Sequence, residues 1–218
     1  PTSHLRAYRQ YVHEAGLKPR LVIWQFFGND FNEDFGLAAL SGTNVAPPAS
    51  PVPSAFALWL SENSAVYTAM RTVADAPARS ALYKPAAHIE TDSFDLHVGQ
   101  PYTLQAADMR APQNLEGEAL AHAAILALRD LAAQDGAVFV VVVMPFKETV
   151  YADLIAPELA QAALDHLDAP RLRMLDFCEA QGLVCFDALP ALRVSSAQTY
   201  YPRDMHLNPA GNRTLGEA

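Results

Sequence analysis

Three times along this chain a helix-spaced segment closes on a glycine and gives way to an apolar run of strand length. In residues 5–15, Leu5, Tyr8, Tyr11, Val12 and Ala15 recur at helical spacing, Gly16 is the expected stop, and Leu21–Phe27 follows as a nearly continuous apolar run. Residues 115–135 repeat the form as an alanine-rich helix closed by Gly136, with the β-branched Val138–Met144 behind it. Residues 171–180, Gly182 and residues 183–187 make the third unit. A run such as Leu21–Phe27 suits a strand buried on both faces of a parallel sheet, and parallel strands need crossover connections, which the intervening helices supply. The expected class is therefore α/β: a three-layer α/β/α sandwich with a mainly parallel, flavodoxin-like sheet and right-handed crossovers. With 218 residues, half of them hydrophobic, the chain can bury one such core, so a single domain over 1–218 is expected.

The stretch between the first and second units breaks the pattern. Residues 42–54 hold Pro47, Pro48, Pro51 and Pro53 and read as an extended loop, while residues 55–74 look helical. Residues 94–104, with Gly99-Gln100-Pro101 at their centre, read as a small hairpin. Residues 34–110 are accordingly an expected insertion or lid, since their apolar content is too thin for a core of their own. The chain starts without Met, and the helix opening at Pro209 stops after about two turns. A longer parent protein is expected, with the fold incomplete at its N-terminus.

A net charge of −9 with scattered Lys and Arg excludes the basic stripe that a nucleic-acid binder needs to replace phosphate counterions. The most hydrophobic stretch, residues 137–144, is too short to span a bilayer, so no membrane span is expected. Cys178 on a helix and Cys185 on the following strand could bridge, but nothing requires it. No GxGxxG opens a helix after a strand, which disfavours a dinucleotide or flavin binder.

Two short blocks carry chemistry. Gly28-Asn29-Asp30 directly follows the first strand, at the carboxyl edge where open α/β sheets bind ligands. Asp204-Met205-His206-Leu207-Asn208, with Gly211 beyond, stands where a loop enters the last helix. An acid and a histidine delivered from one loop are the orienter and base of a nucleophilic hydrolase. Together the blocks resemble two of the four sequence blocks of the SGNH, or GDSL-type, hydrolases: esterases, lipases and carbohydrate O-acetyl hydrolases, with relatives that transfer acetyl groups to polysaccharides. The resemblance implies a serine ester hydrolase acting on a small acyl or acetyl ester, with a carbohydrate ester as the expected partner and no cofactor. Its alternatives are a polysaccharide O-acetyltransferase and a non-catalytic glycan-binding or structural module. It also implies a bacterial secreted, periplasmic or membrane-anchored setting in preference to the cytoplasm.

Carried over by position, His206 is the general base that takes the serine proton and returns it to the leaving alcohol, since an imidazole titrates near neutrality. Asp204 holds that ring in the useful tautomer. Asn29 donates its amide to the oxyanion, and Gly28, without a Cβ, is expected to take the turn that lets Asn29 face the site. One residue separates Asp204 from His206 where many members have two. The family's Gly-Asp-Ser block and its second-strand glycine are not found before Leu21. No serine from Ser3 to Ser196 follows a buried strand in a tight glycine turn, so the nucleophile is expected upstream of this chain.

Met144-Pro145-Phe146-Lys147-Glu148-Thr149-Val150-Tyr151 ends the second unit, and its Pro-x-Lys-x-x-x-Tyr spacing resembles the acetyltransferase relatives. Lys147 is a candidate substrate contact, set against the commoner reading of a solvated lysine. Asp30 is a second candidate contact. Residues 30–34 alternate carboxylates with other side chains, but an EF-hand needs glycine and glutamate where Phe35 and Ser41 stand, so a solvated acidic turn is expected. The other histidines show no HExxH spacing, and no metal is expected.

Overall fold

The computed structural model describes residues 1–40, 64, 66–67, 70, 80–155 and 166–218. The chain enters through α1 (Thr2–Tyr8), which widens into a π-helical turn over Arg9–His13, and then runs into β1 (Leu21–Phe27) and α2 (Asp30–Leu40). A hairpin of β2 (Ala87–Glu90) and β3 (Asp95–Val98) precedes α3 (Pro101–Ala107) and the long α4 (Pro112–Gln134). Next come β4 (Val138–Met144), the short α5 (Lys147–Val150) and α6 (Ala152–Ile155), α7 (Ala169–Gln181), β5 (Val184–Asp187), α8 (Leu189–Arg193) and α9 (Pro209–Glu217).

The three helix-glycine-strand units are all present. Gly16, Gly136 and Gly182 take left-handed φ values of 70°, 81° and 62°, the conformation that stops a helix and that only a residue without Cβ adopts cheaply. Their strands form a parallel sheet in the order β1-β4-β5, with Leu21 opposite Val138, Phe27 opposite Met144 and Val143 opposite Asp187. Side chains alternate between the two faces. Trp24, Phe26, Phe139, Val141 and Val143 meet α4 and α7 on one face, through Ile125, Leu128, Met174 and Cys178. Val142 and Met144 meet β3, α6 and α8 on the other, through Leu96, Val98, Ile155, Leu189 and Leu192. The result is a three-layer α/β/α arrangement.

Three expectations are corrected. β1 is not buried on both faces: Leu21 is 50% and Ile23 60% exposed, because β1 is an edge of the described sheet and the second layer covers its carboxyl end alone. The hairpin turns at residues 91–94, not at Gly99-Gln100-Pro101. There the chain leaves β3 and starts α3, with Pro101 at the first helical position, where its missing N–H costs nothing. Residues 30–34 are no solvated turn but the start of α2, with Asp30 and Asp34 buried. The proline-rich loop over 42–54, and the helix over 55–74 apart from Ser64, Val66, Tyr67 and Met70, lie outside the described residues. The described part of 34–110 packs into the body of the domain, where Leu96 and Val98 are fully buried.

Cys178 on α7 and Cys185 on β5 form a disulfide across a Cα separation of 6.2 Å, settling a pairing the sequence left open.

Candidate active site

The loop bearing Asp204 and His206 is built as a clasp. Tyr200 pairs antiparallel with Leu207, and the backbone N–H groups of Tyr201 and Asn208 donate to the carbonyls of His206 and Thr199 at 3.1 and 2.9 Å. Asn208 locks the exit: its Oδ1 accepts from Gly211 N–H at 2.9 Å as the N-cap of α9, while its Nδ2 donates to the Gln198 carbonyl at 2.7 Å. Gly211 is required by space here. A Cβ at that position would lie 2.1 Å from the Thr199 carbonyl oxygen.

Within the clasp, Asp204 Oδ1 accepts the His206 backbone N–H at 2.8 Å and also meets His206 Nδ1. One intervening residue suffices for this pair of hydrogen bonds, because an Asp that accepts the N–H two residues on folds the backbone back and brings the ring to its own carboxylate. Burial would raise the Asp204 pKa, but the bonds from the His206 N–H and ring outweigh it, and the carboxyl sits below its usual range. With Nδ1 held, Nε2 is the basic nitrogen.

The clasp is pinned from beneath. Lys147 is 1% exposed, and its Nζ donates to the carbonyls of Pro202 at 2.9 Å and Asp204 at 3.2 Å. The solvated-lysine reading is therefore overturned, and the ammonium is committed to the loop's backbone. Burial lowers its pKa, while the nearby Glu148 and Asp204 carboxylates oppose that shift. From the hairpin, His97 N–H donates to the same Pro202 carbonyl at 2.9 Å, and Gln100 Nε2 to the Arg203 carbonyl at 3.2 Å. Tyr200 OH reaches the Pro145 carbonyl at 2.7 Å, tying the loop to the end of β4.

At the carboxyl end of β1, Gly28 has no positive φ. Its lack of a Cβ matters for space and not for the turn: a Cβ would stand 2.5 Å from the Phe146 ring, which packs edge-on to Phe27. Asn29 then opens α2. Its Nδ2 donates to Glu33 Oε1 at 2.7 Å and to Tyr102 OH at 3.0 Å, and Tyr102 OH donates to the same Glu33 oxygen. Burial raises the Tyr102 pKa to about 12, so the phenol stays protonated. Asp30 turns back to the strand end, its Oδ2 accepting Phe27 N–H at 3.0 Å, and burial raises its pKa to about 6. It is thus engaged by the backbone at the groove wall.

Asn29, Asp30, Glu33, Met205 and His206 line one groove of roughly 710 Å³, whose other wall is formed by α1, the π-helical turn after it and the exposed flank of β1, including Tyr11, Ile23 and Gln25. The structure thus brings Asn29 and His206 to one cavity from opposite ends of the chain. No described lining residue is a Ser, Thr or Cys. Glu33 and Tyr102 were not singled out from the sequence. Glu33 carried a signal, standing four residues after Asn29 on one helix face, while Tyr102 carried none.

The model of the SGNH hydrolase-like domain of the acetyltransferase AlgX matches residues 98–217, more than half of the chain. The chain belongs to this SGNH-type family. The matched span holds the Asp204–His206 clasp, Lys147 and the β4 and β5 units, whereas Gly28 and Asn29 lie before it. No curated protein and no solved structure matches the chain. Membership agrees with the parallel sheet wrapped by helices, and with the clasp at the carboxyl side of that sheet, where loops of α/β folds gather chemistry.

Proposed function

We propose that this chain carries the base and oxyanion half of a serine-dependent enzyme that hydrolyses acyl esters, acetyl esters of a carbohydrate foremost. His206 Nε2 takes the proton of a serine hydroxyl as that oxygen attacks the ester carbonyl. Asp204 holds the ring and stabilises the imidazolium, and Asn29 Nδ2 turns from Glu33 and Tyr102 to the tetrahedral oxygen. The imidazolium then returns the proton to the departing alcohol, and a water repeats the cycle on the acyl-enzyme. The serine comes from a segment upstream of Pro1. One observation carries the reading: His206, held at Nδ1 by Asp204, faces the groove that also holds Asn29.

A second reading, transfer of the acetyl group to a sugar hydroxyl instead of water, is favoured by the matched family's description as an acetyltransferase. A setting outside the cytosol is supported by the Cys178–Cys185 bond, since disulfides persist in oxidising compartments.

The test is release of p-nitrophenol from its acetate ester by the full-length gene product, run with and without an oligosaccharide acceptor. His206→Ala should abolish turnover, and Asn29→Ala should lower it about a hundredfold to a thousandfold. Acetylated oligosaccharide among the products would select transfer. Undiminished turnover in both variants would remove these residues from the mechanism.

A further inference from the structure

The hairpin's solvent face gathers three metal-ligating side chains that the ester chemistry does not use. β2 and β3 pair antiparallel with His88 opposite His97, and Asp95, two residues before His97, falls on the same face. Leu96 and Val98 point the other way and are fully buried, which fixes the register. The His88 and His97 rings stack with centroids 4.1 Å apart at 13°, and both Nε2 atoms face one carboxylate oxygen: His88 at 2.8 Å and His97 at 3.8 Å from Asp95 Oδ1. One donor atom from each residue lies within 4.8 Å of the others.

From this geometry we propose a second site on the molecule: a divalent transition-metal site of the zinc class, held by His88 Nε2, His97 Nε2 and one Asp95 oxygen, with a fourth position open to solvent. Metal–ligand bonds of about 2.0–2.2 Å in a tetrahedron put donor atoms about 3.3–3.6 Å apart, between the two observed separations. Two imidazoles and a carboxylate suit zinc, nickel or copper, and not the all-oxygen shell of calcium or magnesium. An ion pair between Asp95 and protonated histidines explains the cluster less well, since two stacked imidazoles cannot both carry charge without repelling. An imidazole ligates through a ring nitrogen free of its proton, and the two Nε2 atoms face the same Asp95 oxygen. Arg203 Nε donates to His97 Nε2 at 3.4 Å, so an incoming cation displaces a guanidinium whose neighbour in the chain is Asp204. The site therefore adjoins the clasp, which His97 also holds through its backbone N–H to the Pro202 carbonyl, and its ligands do not include Asp204 or His206.

Calorimetric titration of the chain with Zn²⁺ at neutral pH is the deciding measurement, paired with X-ray absorption at the zinc edge. One saturable ion is expected, with a spectrum showing two imidazole ligands. His88→Ala and His97→Ala should each weaken binding by at least about tenfold, while Arg203→Ala, which removes the competing cation, should tighten it. Binding should survive in His206→Ala. Absence of saturable binding, affinity unchanged in the His88→Ala/His97→Ala double variant, or loss of the ion in His206→Ala alone would each overturn the site.

Discussion

Asp204 is a turn residue that also holds the His206 ring, because the same carboxylate accepts the His206 backbone N–H and meets its ring. That double use is why Asp-x-His is a sufficient spacing, and why the motif could be read locally. The burial of Asp30 could not. Its neighbours in sequence suggested a hydrated turn, but Phe31 and Phe35, which follow it on α2, are core residues and draw the helix inward. Its pKa, raised to about 6 by burial, makes a specific claim. A carboxyl with a folded-state pKa above its unfolded value near 3.9 contributes stability fully below that value, and the contribution is lost as pH rises to about 6. Asp30→Asn keeps an oxygen for Phe27 N–H and removes the titration. The variant should be more stable than the parent at pH 7, by of order 2–3 kcal/mol, with the difference shrinking to nothing near pH 4. Urea unfolding across that range checks it; equal pH profiles would count against a buried, titrating Asp30.

At the scale of elements, the third helix-glycine-strand unit is stapled. The Cys178–Cys185 bond closes a loop of seven residues' separation around Gly182, joining α7 to β5 just where the chain reverses. A loop that short still removes unfolded-state entropy worth roughly 2–3 kcal/mol. Reduction, or Cys178→Ala/Cys185→Ala, should lower stability by about that amount, read as a shift in the thermal midpoint. No change would mean that the bond restrains nothing the fold does not already restrain. The sequence placed both cysteines on the right elements, yet pairing depends on the approach of helix and strand in three dimensions. The hairpin makes the same point. Its strands alternate in sequence, but the turn at residues 91–94 has no glycine, and Gly99-Gln100-Pro101 drew the turn to itself although that segment opens α3.

Across the whole molecule, the layer on the clasp side of the sheet is held by β3. Leu96 and Val98 fill the core between Met144, Ile155, Leu192 and Tyr200, while the backbone of the same strand grips Pro202. Core packing and clasp geometry are thus one structure. Leu96→Ala should cost about 2–5 kcal/mol in denaturant unfolding, and should speed amide exchange over residues 199–208. Destabilisation with unchanged exchange in the clasp would separate the two.

What the amino-acid order settled by itself is what depends on near neighbours. It set the three glycine-closed units, the α/β class, the helix opening at Pro209, and an Asp and His close enough to meet within one loop. Tertiary structure alone decided which surfaces face each other across long separations. It turned Lys147 from solvent into the underside of the clasp, brought Tyr102 to Asn29, joined Cys178 to Cys185, and set His88 against His97. The physical reason is range. Helix stops, caps and alternation are written in backbone geometry over a few residues, whereas burial, pairing and convergence depend on where distant elements pack.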